Sequence, residues 1–266
     1  MTNAFDQIAK KYDAGFGNTT IGKMQRKVVW NYIDKNIGHD KQLNILELNC
    51  GTGDDALWFA AKGHNVMATD ASEKMLEIAQ SKSITAAADG ELTFSILDIA
   101  KKKSYPTNKK FDLVFSNFGG FNCISHFDFK NVIPAIAELL SPKGRIVAVI
   151  MPKFCLWESV YFILKGKPSE VFRRNTSKPV KANIGNYSID TWYYAPTDIV
   201  NIARKEFKMI NKLPVGIAIP PSYLNNYFSS YPFTYKLFQR LESTFGSLSF
   251  LSGMSDHYII DLEVKS

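Results

Sequence analysis

The stretch Ile45-Leu46-Glu47-Leu48-Asn49-Cys50-Gly51-Thr52-Gly53 most narrows what this chain can fold into. An apolar run ends in an acid and breaks into a glycine-rich turn. A helical segment follows to Lys62, and Asn65-Val66-Met67-Ala68-Thr69-Asp70 reads as a second short strand ending in an acid. Strand, glycine-rich turn, helix, strand and acid is the order of a nucleotide-binding βαβ unit. Gly51 and Gly53 lack a Cβ, so the backbone can turn with positive φ and a ligand can come close. A helix starting after Gly53 points free N–H groups at that ligand. Asp70, at the tip of the second strand, is placed to accept hydrogen bonds from a ribose diol.

Two readings share this layout. Gly51-x-Gly53-x-x-Ala56, with Asp70 about 20 residues on, fits the dinucleotide fingerprint. Glu47-Leu48-Asn49-Cys50-Gly51-Thr52-Gly53 also resembles motif I of the class I S-adenosylmethionine-dependent methyltransferases, small-molecule type. Asn49 stands where that family usually has its first glycine. Asparagine tolerates left-handed backbone well.

Further stretches resemble the same family in order and spacing. Thr69 to Leu76 looks like motif II, an acid followed by a helix opening on Ser72, a good N-cap. Phe94 to Ile99 looks like motif III and Phe111 to Phe118 like motif IV. Leu139 to Ile150 looks like the closing helix end, Pro-x-Gly turn and fifth strand. The resemblance covers about 4–150 well and the remainder in outline. The N-terminal helices, Asp98 and a final hairpin argue against a nicotinamide enzyme.

The resemblance implies S-adenosylmethionine as cofactor and a role for each matching residue. Glu47 and the backbone of Asn49, Gly51 and Gly53 would hold the methionine part. Asp70 would hold the ribose, with Ala71 and Met75 beside the adenosine. Asp98 and Ile99 would frame the adenine. Asn117 and Phe118 would flank the methyl group, and Tyr12 resembles an N-terminal lid tyrosine. His126 follows the motif IV loop and is a candidate base, since imidazole titrates near neutral pH. Structural alternatives stand beside these: Asp70 as a helix cap, Asp98 as a turn residue, Asn117 as a strand end, Tyr12 and His126 as packing. The sequence shows no metal-ligand spacing. Ser116-Asn117-Phe118-Gly119 also departs from the Asn/Asp-Pro-Pro-aromatic signature of planar-amine methylation.

The expected fold class is α/β: a Rossmann-like, seven-stranded, mainly parallel sheet with helices on both faces and a C-terminal antiparallel hairpin. A single domain of 1–266 is expected, with core segments of about 36–151, 195–219 and 254–266. Helices are expected over 3–12, 23–35, 130–140 and 197–207, the last capped by Thr197. The segments 152–194 and 220–253 are aromatic-rich and read as cap insertions over the carboxyl edge. Their Trp157, Tyr161, Phe162, Trp192, Tyr193, Tyr194, Tyr223, Tyr227 and Phe228 either line an apolar pocket or form the cap's own core. Glu158 joins them as a possible substrate contact.

The sequence has a net charge of +7, yet its basic residues are scattered, which weighs against nucleic acid as partner. No apolar run of 18 residues suggests a membrane span. The N-terminus lacks a basic, apolar signal, and three cysteines show no metal spacing. A cytoplasmic enzyme acting on a small-molecule methyl acceptor is the expectation, with an O or C nucleophile on a phenolic, polyketide, quinone or lipid-like metabolite. An RNA or protein methyltransferase is the alternative. The aromatic insertion can equally serve as a homodimer contact.

Overall fold

The computed structural model describes residues 4–37, 41–106, 108–184, 187–228 and 230–265. Two helices, α1 (Ala4–Gly15) and α2 (Thr20–Asn36), precede the sheet. Strand and helix then alternate: β1 (Asn44–Leu48), α3 (Asp54–Ala61), β2 (Asn65–Asp70), α4 (Glu73–Ser83), β3 (Leu92–Ile96), β4 (Phe111–Ser116), α5 (His126–Leu139) and β5 (Leu140–Ile150). An inserted segment carries α6 (Leu156–Leu164) and the hairpin β6 (Val180–Ile184) and β7 (Tyr187–Thr191). The chain returns through α7 (Pro196–Ala203) and β8 (Phe207–Val215). A second insertion holds α8 (Asn225–Phe228) and α9 (Pro232–Phe245), and β9 (His257–Val264) ends the fold.

The sheet order is β3-β2-β1-β4-β5-β9-β8, with β6 and β7 apart as a two-stranded sheet. β1 to β5 run parallel, and β9 lies antiparallel between β5 and β8. This is the expected α/β architecture, with its terminal hairpin split by the second insertion. The central strands are buried on both faces, which explains their unbroken apolar runs. Leu46, Leu48 and Val114 pack beneath α5 and α7. Ile45, Phe115 and Val147 pack against α2 and α3 on the other face.

Element edges differ from the sequence reading where side chains outside the apolar pattern decide them. α2 begins at Thr20 rather than Lys23, because the Thr19 hydroxyl accepts from the Gly22 amide at 3.0 Å. Thr197 does not cap α7. Ala195 is the N-cap, Pro196 fills the first turn, and Asp198 reaches back to the Ala195 N–H at 2.9 Å. β5 starts at Leu140 and bulges before Arg145, with Lys143 at φ 61°.

The insertions are tied down by polar anchors rather than by area alone. Asn122, fully buried, donates to the carbonyls of Met151 and Trp192 and accepts from the Met151 amide. It thus joins the two stems of the first insertion. Glu242 of α9, also buried, accepts from the backbone amides of Gly216, Ala218 and Ile219 at 2.7, 2.7 and 3.0 Å. Trp157 of α6 meets Phe228 and Phe238 edge-on at 6.2 and 5.9 Å, over Ile21 and Met24 of α2. The two inserted segments therefore share one small core.

Beneath that core lies a buried ionic cluster. Glu158 accepts from Arg173 and Arg174 at 2.7 Å each, and Asp256 stands 3.6 Å from Arg174 and accepts from Gln25 at 3.1 Å. Burial acts to raise the Asp256 pKa, but His257, Arg174 and Gln25 outweigh it and hold the group down to about 2. A carboxylate with a depressed folded-state pKa stabilises the fold above its unfolded value and loses that contribution as pH falls through the folded one. From an ordinary 3.8 the shift is worth about 2 kcal/mol. Denaturant unfolding of the wild-type and Asp256→Asn proteins should show their stability difference shrinking between about pH 4 and pH 2. A difference that stays constant across that window contradicts the assignment.

Candidate functional site

At the carboxyl ends of β1, β2 and β4 the backbone turns through Asn49 (φ 53°), Gly51 (φ 54°) and Gly53 (φ 85°). Asparagine therefore supplies the left-handed turn that a glycine would give. The Gly51 amide donates to one Asp70 oxygen at 2.9 Å, and the Ser72 amide donates to the other at 2.8 Å. Burial pushes the Asp70 pKa up, and these amides pull against it. Each carboxylate oxygen keeps a lone pair for an incoming hydroxyl.

A cavity of about 330 Å³ opens beside this turn. Nine of the twelve expected cofactor residues line it: Tyr12, Asn49, Gly51, Asp70, Ala71, Met75, Asp98, Ile99 and Phe118. A groove of about 550 Å³ between α2, β8 and α9 is larger. It shares no lining residue with the cavity, and the strand ends put the ligand crevice at the smaller one. Among the described residues, both charged side chains on the cavity wall, Asp70 and Asp98, are acids. That wall suits a ligand bearing a diol and a positive charge.

The other three expected residues sit elsewhere. Gly53 lies beneath the turn, where a Cβ would come 2.7 Å from the Ala79 Cβ. Glu47 is buried behind the loop, and its Oε2 has no hydrogen-bond partner. Burial, reinforced by Asp55, pushes its carboxyl well above the usual range and favours the neutral acid. Asn117 lines a small adjoining recess of about 30 Å³ with Arg26, Thr52 and Asp55. Its amide donates to Asp55 at 3.0 Å.

His126 is not brought to the cavity. It opens α5, where its ring lies 4.5 Å from that of Tyr194 and both ring nitrogens are buried without partners. Burial, with Lys153, lowers its pKa. Following the motif IV loop in sequence does not carry it to the site, because Ser125 caps α5 and the helix turns the ring under the insertion. Of the insertion aromatics, none whose side chain is described lines the cavity. Trp157 and Phe228 belong to the insertion core, and the Tyr194 hydroxyl donates to the Ile124 carbonyl. The Tyr223 side chain lies outside the described residues. Glu158 belongs to the ionic cluster.

Sequence reasoning passed over several residues. Arg26 reaches the recess from α2, paired with Asp55 at 2.9 Å and Asp54 at 3.5 Å, and lies 5.7 Å from the Phe118 ring centre. Burial of its charge beside two acids was the missing information. Phe5, Cys123, Ile124 and Ile189 complete the apolar wall. Gly120 is required by Asn49. The Asn49 side chain donates to the Asn117 carbonyl at 2.8 Å and accepts from the Ser116 hydroxyl at 2.6 Å. A Cβ on Gly120 would fall 1.9 Å from its Oδ1.

The family model for a methyltransferase domain matches residues 45–144, the span from β1 to the start of β5. The chain is 29% identical over 173 residues to a demethylmenaquinone methyltransferase of Leptospira interrogans, covering 62% of this chain and 67% of that protein. It is 24% identical over 147 residues to a tRNA 5-carboxymethoxyuridine methyltransferase of Escherichia coli, and spans about half of that relative's length, 53%. A solved S-adenosylmethionine-dependent methyltransferase of Clostridium acetobutylicum superposes with a TM-score of 0.60 at 15% identity, covering 99% of this chain and 100% of that one, a likeness of fold. Residues 45–144 carry a methyltransferase domain, and the matches together support a class I S-adenosylmethionine-dependent methyltransferase with S-adenosylmethionine as cofactor.

Two outcomes test the site. Asp70→Ala should weaken S-adenosylhomocysteine binding at least tenfold by calorimetry, through loss of charge-assisted bonds to a diol; unchanged affinity contradicts the placement. Gly120→Ala should lower that affinity by a comparable factor, and adding Asn49→Gly should restore most of it. A double variant as weak as the single one would show that the clash is not with Asn49.

Proposed function

We propose that this enzyme methylates an acidic hydroxyl, or the ring carbon activated by one, on an apolar small molecule of phenolic or quinone type. One observation carries the reading: the wall beyond Asp70 and Asp98 is Phe5, Phe118, Gly119, Gly120, Ile124 and Ile189, with neither lysine nor arginine on it among the described residues. Such a surface accepts a flat apolar ring and offers nothing to a phosphate. S-adenosylmethionine supplies an activated methyl on a sulfonium, so the protein's work is binding, alignment and exclusion of water.

The residues divide that work. The Asp70 carboxylate, already oriented by two amides, takes the ribose hydroxyls. Asp98, Ile99 and Met75 enclose the adenine side. The backbone at Asn49 and Gly51 follows the methionine part, and Arg26 in the recess answers its carboxylate. Phe118, held at φ 40° by the bond its N–H donates to the Asn117 side chain, would lie beside the methyl. Among the described residues, no histidine or lysine lines the cavity. The Tyr12 phenol is pushed up to about 12, chiefly by burial, with Arg26 opposing and Asp70 assisting. Tyr12 therefore stays protonated and serves as a donor at the cavity mouth. With no neutral-pH base on the wall, the acceptor must lose its proton on its own.

The Leptospira relative's name points to a quinone-type acceptor and the E. coli relative's to an RNA. The cation-free wall favours the former. Release of S-adenosylhomocysteine should be assayed with a series of phenols and naphthols of graded acidity, and with bulk tRNA. The expected result is turnover on the aromatic series, with a pH midpoint that moves with each acceptor's own pKa. Turnover on RNA alone, or one fixed midpoint for all acceptors, overturns the proposal.

A further inference from the structure

The two insertions leave large apolar side chains in the open. Among the described residues, fifteen of twenty exposed large hydrophobics lie within 152–194 or 220–256. They are ordered along two helices. On α9, Phe233, Leu237, Leu241 and Phe245 recur every four residues and are 71%, 52%, 37% and 42% exposed. On α6, Val160 and Leu164 follow the same spacing at 44% and 81%. Residues four apart share one face of a helix. Phe238 and Trp157, which join the helices, occupy neighbouring faces, so the two open stripes flank one contact. Phe250, 72% exposed, extends the surface beyond the end of α9.

The charges around this surface have one dominant sign. Lys236 and Arg240 flank the α9 stripe, and Lys165 and Lys167 follow the α6 stripe; all four are exposed. Neither helix exposes an acid: Glu242 is buried on backbone amides and Glu158 on Arg173 and Arg174. Glu170, in the turn after α6, is exposed and offsets one of the cations. We propose that the α6–α9 face docks on an anionic lipid bilayer, its leucines and phenylalanines entering the headgroup boundary and its lysines and arginine meeting lipid phosphates. An in-plane helix with an apolar stripe beside cations is the pattern that binds such interfaces. A second copy of the chain fits the same face less well. A two-fold contact would set these cations against their own images, with no acid exposed on either helix to pair them.

The proposal is independent of the acceptor, and its test does not use turnover. Full-length protein is floated with vesicles of phosphatidylcholine alone and with vesicles holding a third phosphatidylglycerol. Binding to the anionic vesicles should exceed that to the neutral ones at least tenfold and weaken as salt rises. Each cation is worth about fivefold, so Lys236→Glu with Arg240→Glu should remove at least tenfold of the affinity. Leu237→Ser with Leu241→Ser should do the same while S-adenosylhomocysteine binding, measured by calorimetry, shows both variants folded. Equal binding to the two vesicle types overturns the proposal. So does anionic binding that both variants keep, or a self-association in light scattering that the variants abolish while vesicle binding is nil.

Discussion

Asp55 is the group on which the site depends. One of its oxygens accepts from Arg26 at 2.9 Å and from the Asn117 side chain at 3.0 Å, and the other from the Trp30 indole at 2.7 Å. It stands in the first turn of α3 and is almost wholly buried. A buried carboxylate is tolerated only when its lone pairs are filled, and breaking such a set costs more than forming it returns. Its partners come from α2 and from the loop after β4. The acid thereby brings two distant pieces of chain to the glycine turn, and Arg26 arrives at the recess already oriented.

The strained backbone around the cavity follows from the same economy of polar groups. Asn49 and Phe118 adopt positive φ although neither is glycine. Each is held there by an amide: Asn49 by its own side chain across Ser116 and the Asn117 carbonyl, Phe118 by its N–H on the Asn117 side chain. Strain of this kind survives where surrounding bonds over-determine it, and it concentrates at ligand sites. The loop after β4 is in this way a rigid wall rather than a loose crossing.

The strands and the glycine turn were legible because their signals are local: apolar runs of strand length, glycines at a turn, acids at strand tips. Asp70 and Asp98 could be placed from spacing for the same reason. Arg26 could not, since nothing in an amphipathic helix marks the one arginine that meets a buried acid 29 residues on. His126 misled because proximity along the chain does not give the direction in which a capped helix turns its first side chain. The insertion aromatics were ambiguous in composition. Packing resolved it: Trp157, Phe228 and Phe238 need one another's surface to be buried at all.

Asn122 draws the two stems of the first insertion, Met151 and Trp192, to one side chain. Everything between them leaves the sheet and returns to the same spot. Such a loop is a cassette: its length and content can change without altering the distance its ends must span. Natural variation in this scaffold can therefore exchange the forty residues between those stems as a unit, and acquire a new acceptor or a new location in the cell, while strands and cofactor turn stay as they are.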